Sequence, residues 1–273
     1  MTTAFVLPGG ASLGAVQAGM AEVLIAAGIT PDLIVGTSVG ALNGAWLASH
    51  MDAAGASELC DVWMAVRRRD IFPFSPVRIM LGLIGRRDHM VSPSSLARWL
   101  SVRSTFFQLE QSPVPLHIMA TELMTGKAVT LSTGDAIEAL MASTAIPGVF
   151  PPVEIAGQTL VDGGLAANTP ITQAVELGAD TVYVLPNVGI HSGGQPRSAP
   201  GVSFQAIAHL LGQTSGSEVR ANAGRCNLFV VPPPPSGGIS PFDFGHTRLL
   251  LDAAALSTRE WLEAGRPVPA GEI

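Results

Sequence analysis

Charge is scarce in this 273-residue chain. Asp, Glu, Lys and Arg together make up 13%, and Lys occurs once, at Lys127. The formal net charge is −6, which argues against nucleic acid as a partner, because that affinity rests on clustered positive charge. Cysteine is nearly missing. Cys60 and Cys226 lie far apart with no CxxC pair, so both read as reduced, structural residues. The six histidines, His50, His89, His117, His191, His209 and His246, show no metal-ligand spacing, and no metal is expected. No run of about 18 uninterrupted apolar residues occurs, so a membrane-spanning helix is not expected. The N-terminus, Met1 to Leu7, has no basic region before its glycine turn, which leads to the expectation of a cytoplasmic protein without a secretory signal.

Apolar residues are abundant at 47%, with 30 Gly and 21 Pro. This composition suits a compact fold rich in tight turns, and the chain is long enough to be one large α/β domain over 1–273. The apolar share also makes a homodimer a reasonable expectation.

Ala4 to Leu7 is a short apolar run ending at Pro8-Gly9-Gly10, and Leu33-Ile34-Val35 is a second, ending at Gly36-Thr37-Ser38. Helical apolar spacing follows each, over Leu13 to Ala27, closed by Gly28, and over Ala41 to His50. Strand, turn and helix, repeated, predict a mainly parallel sheet with crossover helices. Further strands are expected at Leu116 to Ala120, Ala128 to Leu131, Thr159 to Val161 and Thr181 to Leu185. Thr125-Gly126 reads as a hairpin turn. Residues 58–107 read as a cap or insert, 191–201 as a mobile loop, Pro232 to Pro235 as a stiff polyproline piece and Thr247 to Ala264 as an amphipathic helix.

Gly36-Thr37-Ser38-Val39-Gly40 stands between a strand and a helix. A serine there occupies a strained turn with its hydroxyl exposed, and small flanking residues allow strand and helix to approach closely. The helix N-terminus favours developing negative charge. Gly9-Gly10-Ala11-Ser12-Leu13-Gly14 follows the preceding strand, and in a parallel sheet such turns line up where ligands bind. Its amides are candidates for an oxyanion hole. A dinucleotide-binding turn is the weaker alternative, since no acidic residue ends a strand about 20 residues later. For the base, Asp162 in Leu160-Val161-Asp162-Gly163-Gly164 follows a strand directly, and burial would raise its pKa toward that of a useful proton acceptor. A Ser-Asp-His order using His191, His209 or His246 stays open on these residues alone.

These motifs, in this order, resemble those of the patatin-like phospholipases. The resemblance runs from Leu7 to at least Pro170 and includes Ala142 to Pro152, Asn168 and Pro170. It implies a three-layer α/β/α fold and a Ser–Asp dyad without a catalytic histidine. Ser38 becomes the nucleophile, Asp162 the base, and Gly9, Gly10 and Ala11 the oxyanion turn, with Gly14, Gly36, Gly40, Gly163 and Gly164 as supporting positions. An acyl-ester lipid is the implied substrate, through an acyl-enzyme, and no cofactor is needed. A thioesterase or acyltransferase would use the same dyad, and a non-catalytic lipid-binding module is the third reading. Two positions depart from the family pattern. Ala11 replaces a glycine, and Leu13 stands where Arg or Lys is common, which points toward neutral esters. Within Asp61 to Met90, six Arg stand against three Asp, and the arginines around Ile79 to Ile84 suit peripheral membrane contact through 67–87.

Overall fold

The apolar runs form strands of one sheet, with helices on both of its faces. The computed structural model describes residues 1–73, 75, 80–81, 86, 88–187, 214–235 and 239–265. Strands β1 (Thr3–Leu7) and β2 (Leu33–Thr37) pair in parallel, and β2 pairs in parallel with β3 (Leu116–Glu122). Beyond β1 lie β7 (Thr181–Val184) and β8 (Asn227–Val230), also parallel. The antiparallel pairings are β4 (Ala128–Leu131) on β3, β6 (Gln158–Asp162) on β3, and β5 (Val153–Ile155) on β6. The sheet is therefore mixed but mostly parallel.

Alternate residues of the inner strands enter opposite cores. Phe5, Leu7, Ile34 and Ile118 face a core shared with α1 (Ala15–Ala26), α2 (Val39–Ser49), α3 (Ala53–Ala65) and α9 (Thr247–Glu263). Ala4, Val6, Val35 and Val182 face a second core closed by α8 (Ile171–Glu176). Strands buried on both faces are what a three-layer α/β/α arrangement requires. Helix α1 is apolar on nearly every side because it lies between the sheet, α3 and α9.

Pairing along β3 does the most to position the site. Met119 pairs with Thr37 of β2 and with Thr130 of β4, so those strands flank β3 on opposite sides. Ala120 pairs with Val129 of β4 and with Asp162 of β6, so β6 lies on the same side as β2. Strand β2 runs parallel to β3 and β6 antiparallel, and they end at successive registers. Their tips meet head-on.

The helix expected from Leu13 starts instead as a tight 3-10 turn, Ala11–Gly14, before α1 proper. Helix α2 starts two residues earlier than its periodicity indicates, because Ser38 itself occupies the cap position. The 58–107 region contributes the end of α3, then α4 (Arg68–Ile71) and α5 (Ser94–Arg103). Most of the Ile79 to Ile84 run lies outside the described residues, as do Arg78, Arg87 and the whole 191–201 loop. Among the described residues, no helix is long and apolar enough to cross a membrane.

Candidate active site

Where β2 ends, the chain must turn sharply into α2. Ser38 makes that turn with φ 54° and ψ −123°, a region unfavourable for a residue with a Cβ and costing about 1–3 kcal/mol. Surrounding hydrogen bonds hold it there. The Ser38 N–H donates to Ser143 Oγ at 2.8 Å, and Ser143 Oγ donates to the Met119 carbonyl at 2.6 Å. Thr37 Oγ1 donates to the Ala167 carbonyl at 2.8 Å. A Cβ at Gly40 would strike the Leu7 carbonyl, so only glycine lets α2 start this close to β1. Gly36 lies equally tight against the backbone of Ala41.

Ser38 Oγ donates to Asp162 Oδ2 at 2.7 Å, across 124 positions of sequence. Asp162 Oδ1 accepts from the Gly164 N–H at 2.8 Å, and the Asp162 carbonyl accepts from Thr121 Oγ1 at 2.9 Å. Gly163 lies flush against the Met119 carbonyl, which excludes a side chain there. Both Ser38 and Asp162 are 8% exposed. Burial pushes the Asp162 carboxyl up to about 6, against the opposing pull of its hydrogen bonds from Ser38 and Gly164.

The glycine turn lies beside this pair. A Cβ built on Gly9 would sit 3.1 Å from Ser38 Cβ. Ala11 lines the cleft together with Ser38, and Gly9 and Gly10 do not line it. Ala11 has φ 51°, a conformation that favours the glycine it replaces. Among the described residues, the N–H groups of Gly9, Gly10 and Ala11 have no hydrogen-bond acceptor, whereas those of Ser12 and Leu13 are bound to the Pro241 and Gly10 carbonyls. At the start of α2 the Val39 and Gly40 N–H groups likewise have no acceptor, whereas that of Ala41 is bound to the Ser38 carbonyl.

Several supporting residues carry no motif. Asn187, just past β7, donates through Nδ2 to the Pro8 and Gly9 carbonyls at 3.2 and 2.9 Å. Its signal is position, a polar residue at the carboxyl end of a strand parallel to β1. A buried chain fixes the other side of the turn. Gln17 Nε2 donates to the Pro8 carbonyl at 2.7 Å, and Asn43 Nδ2 donates to the Gly14 carbonyl and to Gln17 Oε1, each at 2.9 Å. Trp63 Nε1 donates to Asn43 Oδ1 at 2.9 Å. Gly14 itself sits against Val39 and Trp63.

Leu13 is wholly buried in the core and does not reach the cleft. Among the described histidines, none bonds to Ser38 or Asp162. His246 Nδ1 pairs with Asp243 at 2.9 Å, His117 Nδ1 with Ser132 at 2.7 Å, and His50 Nδ1 with the Trp46 carbonyl at 3.0 Å. His191 and His209 lie outside the described residues. Among the described residues there is no group of acidic, His and Cys side chains able to hold a metal.

The cleft leading away from Ser38 holds about 1020 Å³ of empty space, part of it open to solvent. One wall is the half-buried face of α2. The other comes from α3, α5 and Phe72, and Phe72 packs against Phe150, Phe242 and Phe244.

A family model described as patatin-like phospholipase matches residues 5–175. An NTE family protein of Mycobacterium tuberculosis is 33% identical over 171 residues, covering 60% of this chain and 27% of that protein. A lysophospholipase of Aspergillus oryzae is 26% identical over 188 residues, covering 66% of this chain and 11% of its own length. The chain thus spans less than a third of the curated relatives it matches. The crystal structure of VipD from Legionella pneumophila has a similar fold, with a TM-score of 0.52 at 16% identity, covering 96% of this chain and 67% of that one. From the family match over these residues, the chain belongs to the patatin-like phospholipase family.

Proposed function

We propose that the chain hydrolyses acyl esters of lipids through Ser38 and Asp162. The observation that carries this reading is the 2.7 Å bond from Ser38 Oγ to a buried Asp162. Ser38 Oγ attacks the ester carbonyl as its proton passes to Asp162 Oδ2. With a pKa of about 6 instead of 3.8, Asp162 is a stronger base that is still ionised at neutral pH. The unpaired amides of the Gly9–Ala11 turn and of the α2 N-terminus receive the charge on the carbonyl oxygen, each such donor contributing about 2.7–4 kcal/mol. Collapse of that intermediate expels the alcohol, which takes the proton, and leaves an acyl-enzyme. Water, deprotonated by Asp162, then attacks the acyl-enzyme, and the Ser38–acyl bond breaks as the proton returns from Asp162 to Ser38 Oγ, releasing the acid.

The cleft walls are apolar around Ser38, and the fully buried Leu13 offers no charge for a phosphate. This favours neutral esters over phospholipids. The test is hydrolysis of p-nitrophenyl acyl esters, a neutral lipid ester and a phospholipid by the wild type, Ser38→Ala, Asp162→Asn and single variants of each histidine. The expected outcome is loss of about 10⁴-fold or more on changing either dyad residue, with every histidine variant active. One histidine as essential as Ser38 would overturn the dyad, and a strong phospholipid preference would overturn the neutral-ester reading.

A further inference from the structure

The residues of α2 that line the cleft recur with helical period, Val39, Leu42, Asn43, Ala45, Trp46 and Ser49, between Ser38 at the N-terminal cap and His50 at the C-terminal one. The opposite face of α2 is packed on the sheet, with Gly44 against Ile34 and Leu116. The cleft therefore runs lengthwise along the helix. Its character changes along the way. Near Ser38 it is walled by apolar groups such as Leu140, Phe150 and Phe72, while its far end is rimmed by Ser49, His50, Arg103 and Thr105. There Thr105 Oγ1 donates to Ser49 Oγ at 2.6 Å, tying α2 to the segment after α5. Ser49 Oγ in turn donates to the Ala45 carbonyl at 3.2 Å.

We infer that this cleft measures the acyl chain of the substrate, with Ala45 keeping its middle open and the Ser49–Thr105 bond closing its end. The inference rests on Ser38 being the acylated residue. From Ser38 to Ser49 the helix rises about 16 Å. An extended hydrocarbon advances about 1.25 Å per carbon, from a bond of about 1.5 Å and a near-tetrahedral angle, so the apolar stretch holds about 12 carbons. A longer chain must push methylenes among the polar rim groups, which loses the gain of burying them.

The test compares butanoyl, octanoyl, dodecanoyl and octadecanoyl esters on the wild type, Ala45→Trp, and Ser49→Ala with Thr105→Ala. In the wild type, kcat/KM should rise up to about fourfold per methylene, peak near dodecanoyl and fall for octadecanoyl. Ala45→Trp should keep butanoyl hydrolysis, which also shows that it folds, and lose about 100-fold on dodecanoyl, about fourfold for each methylene shut out. The double variant should move the peak to longer chains. Displacement of a fluorescent fatty acid by butanoate, dodecanoate and octadecanoate, on the wild type and Ala45→Trp, reads the same ruler without catalysis. A flat chain-length profile, or an Ala45→Trp loss equal at all lengths, overturns the ruler while leaving the hydrolase intact. Inactivity on every ester with chain-length-dependent fatty-acid binding overturns the hydrolase and keeps the ruler.

Discussion

At the floor of the cleft, Ser38, Ser143, Met119, Thr121, Asp162 and Gly164 are joined by hydrogen bonds of 2.6 to 2.9 Å. The facing wall instead meets the cleft through Trp63, Phe72, Leu96 and Leu100, by apolar contact. Hydrogen bonds are directional and fix an atom within tenths of an ångström. Apolar contact has no preferred direction and tolerates changes that conserve volume. Under the proposed function, the floor therefore governs whether the reaction proceeds, and the wall governs which acyl group is accepted.

The sharpest way to break this division is at Ser143, a positioning residue that never meets substrate. Ser143→Ala removes the acceptor for the Ser38 N–H, and kcat should fall about 100-fold with KM nearly unchanged. Ser143→Thr, which keeps the hydroxyl, should restore part of the rate. Steady-state kinetics decide it: a loss carried by KM, or none at all, would reduce Ser143 to ordinary packing.

A smaller effect, about tenfold per pH unit, is expected on acidification. Activity needs ionised Asp162, so kcat/KM should fall below an inflection near pH 6. Stability should run the other way. A carboxyl whose folded pKa lies above its unfolded value contributes stability that is fully present below about 3.8 and lost as pH rises through about 6. The shift corresponds to about 3 kcal/mol. Melting of the wild type should drop from about pH 4 to about pH 6 and level off above, while Asp162→Asn should melt higher at pH 8 and show less of this drop. A variant melting lower than the wild type at pH 8 would contradict the burial argument.

The smallest change belongs to the wall. Phe72 is half-buried, so Phe72→Ala should cost about 0.5–3 kcal/mol of stability, raise KM for a dodecanoyl ester several-fold and leave kcat for a butanoyl ester alone. Equal losses on both esters would merge wall and floor into one unit.

The two turns at the ends of β1 and β2 were legible because a short apolar run, a glycine turn and a helical period follow one another within a few residues. Asp162 was legible through the strand before it and the two glycines after it. The head-on meeting of β2 with β6 was not, because it depends on β3 pairing with three strands at once. Ser143 lies within the recognised Ala142 to Pro152 stretch, yet its partners are the Ser38 amide and the Met119 carbonyl, and backbone groups leave no mark in composition. The same holds for Gln17, Asn43 and Asn187. Strand β5 was missed because three residues carry too little periodicity, and β8 because its apolar residues Leu228, Phe229 and Val230 form a short run that periodicity alone does not assign.

Because β2 and β6 approach from opposite directions along β3, each strand holds only half of the Ser38–Asp162 pair. Ser38 and Asp162 are 124 positions apart, and they meet only after the intervening chain, with β3 and the cleft wall in it, has taken its place. Contacts this distant in sequence require a long loop to close before they can form. A chain still emerging from the ribosome, or one that has misfolded, presents a serine with no base. The layout thus acts as a safety catch. Under the proposed function, ester hydrolysis appears only once the sheet is complete, and specific activity doubles as a gauge of the natively folded fraction in a preparation.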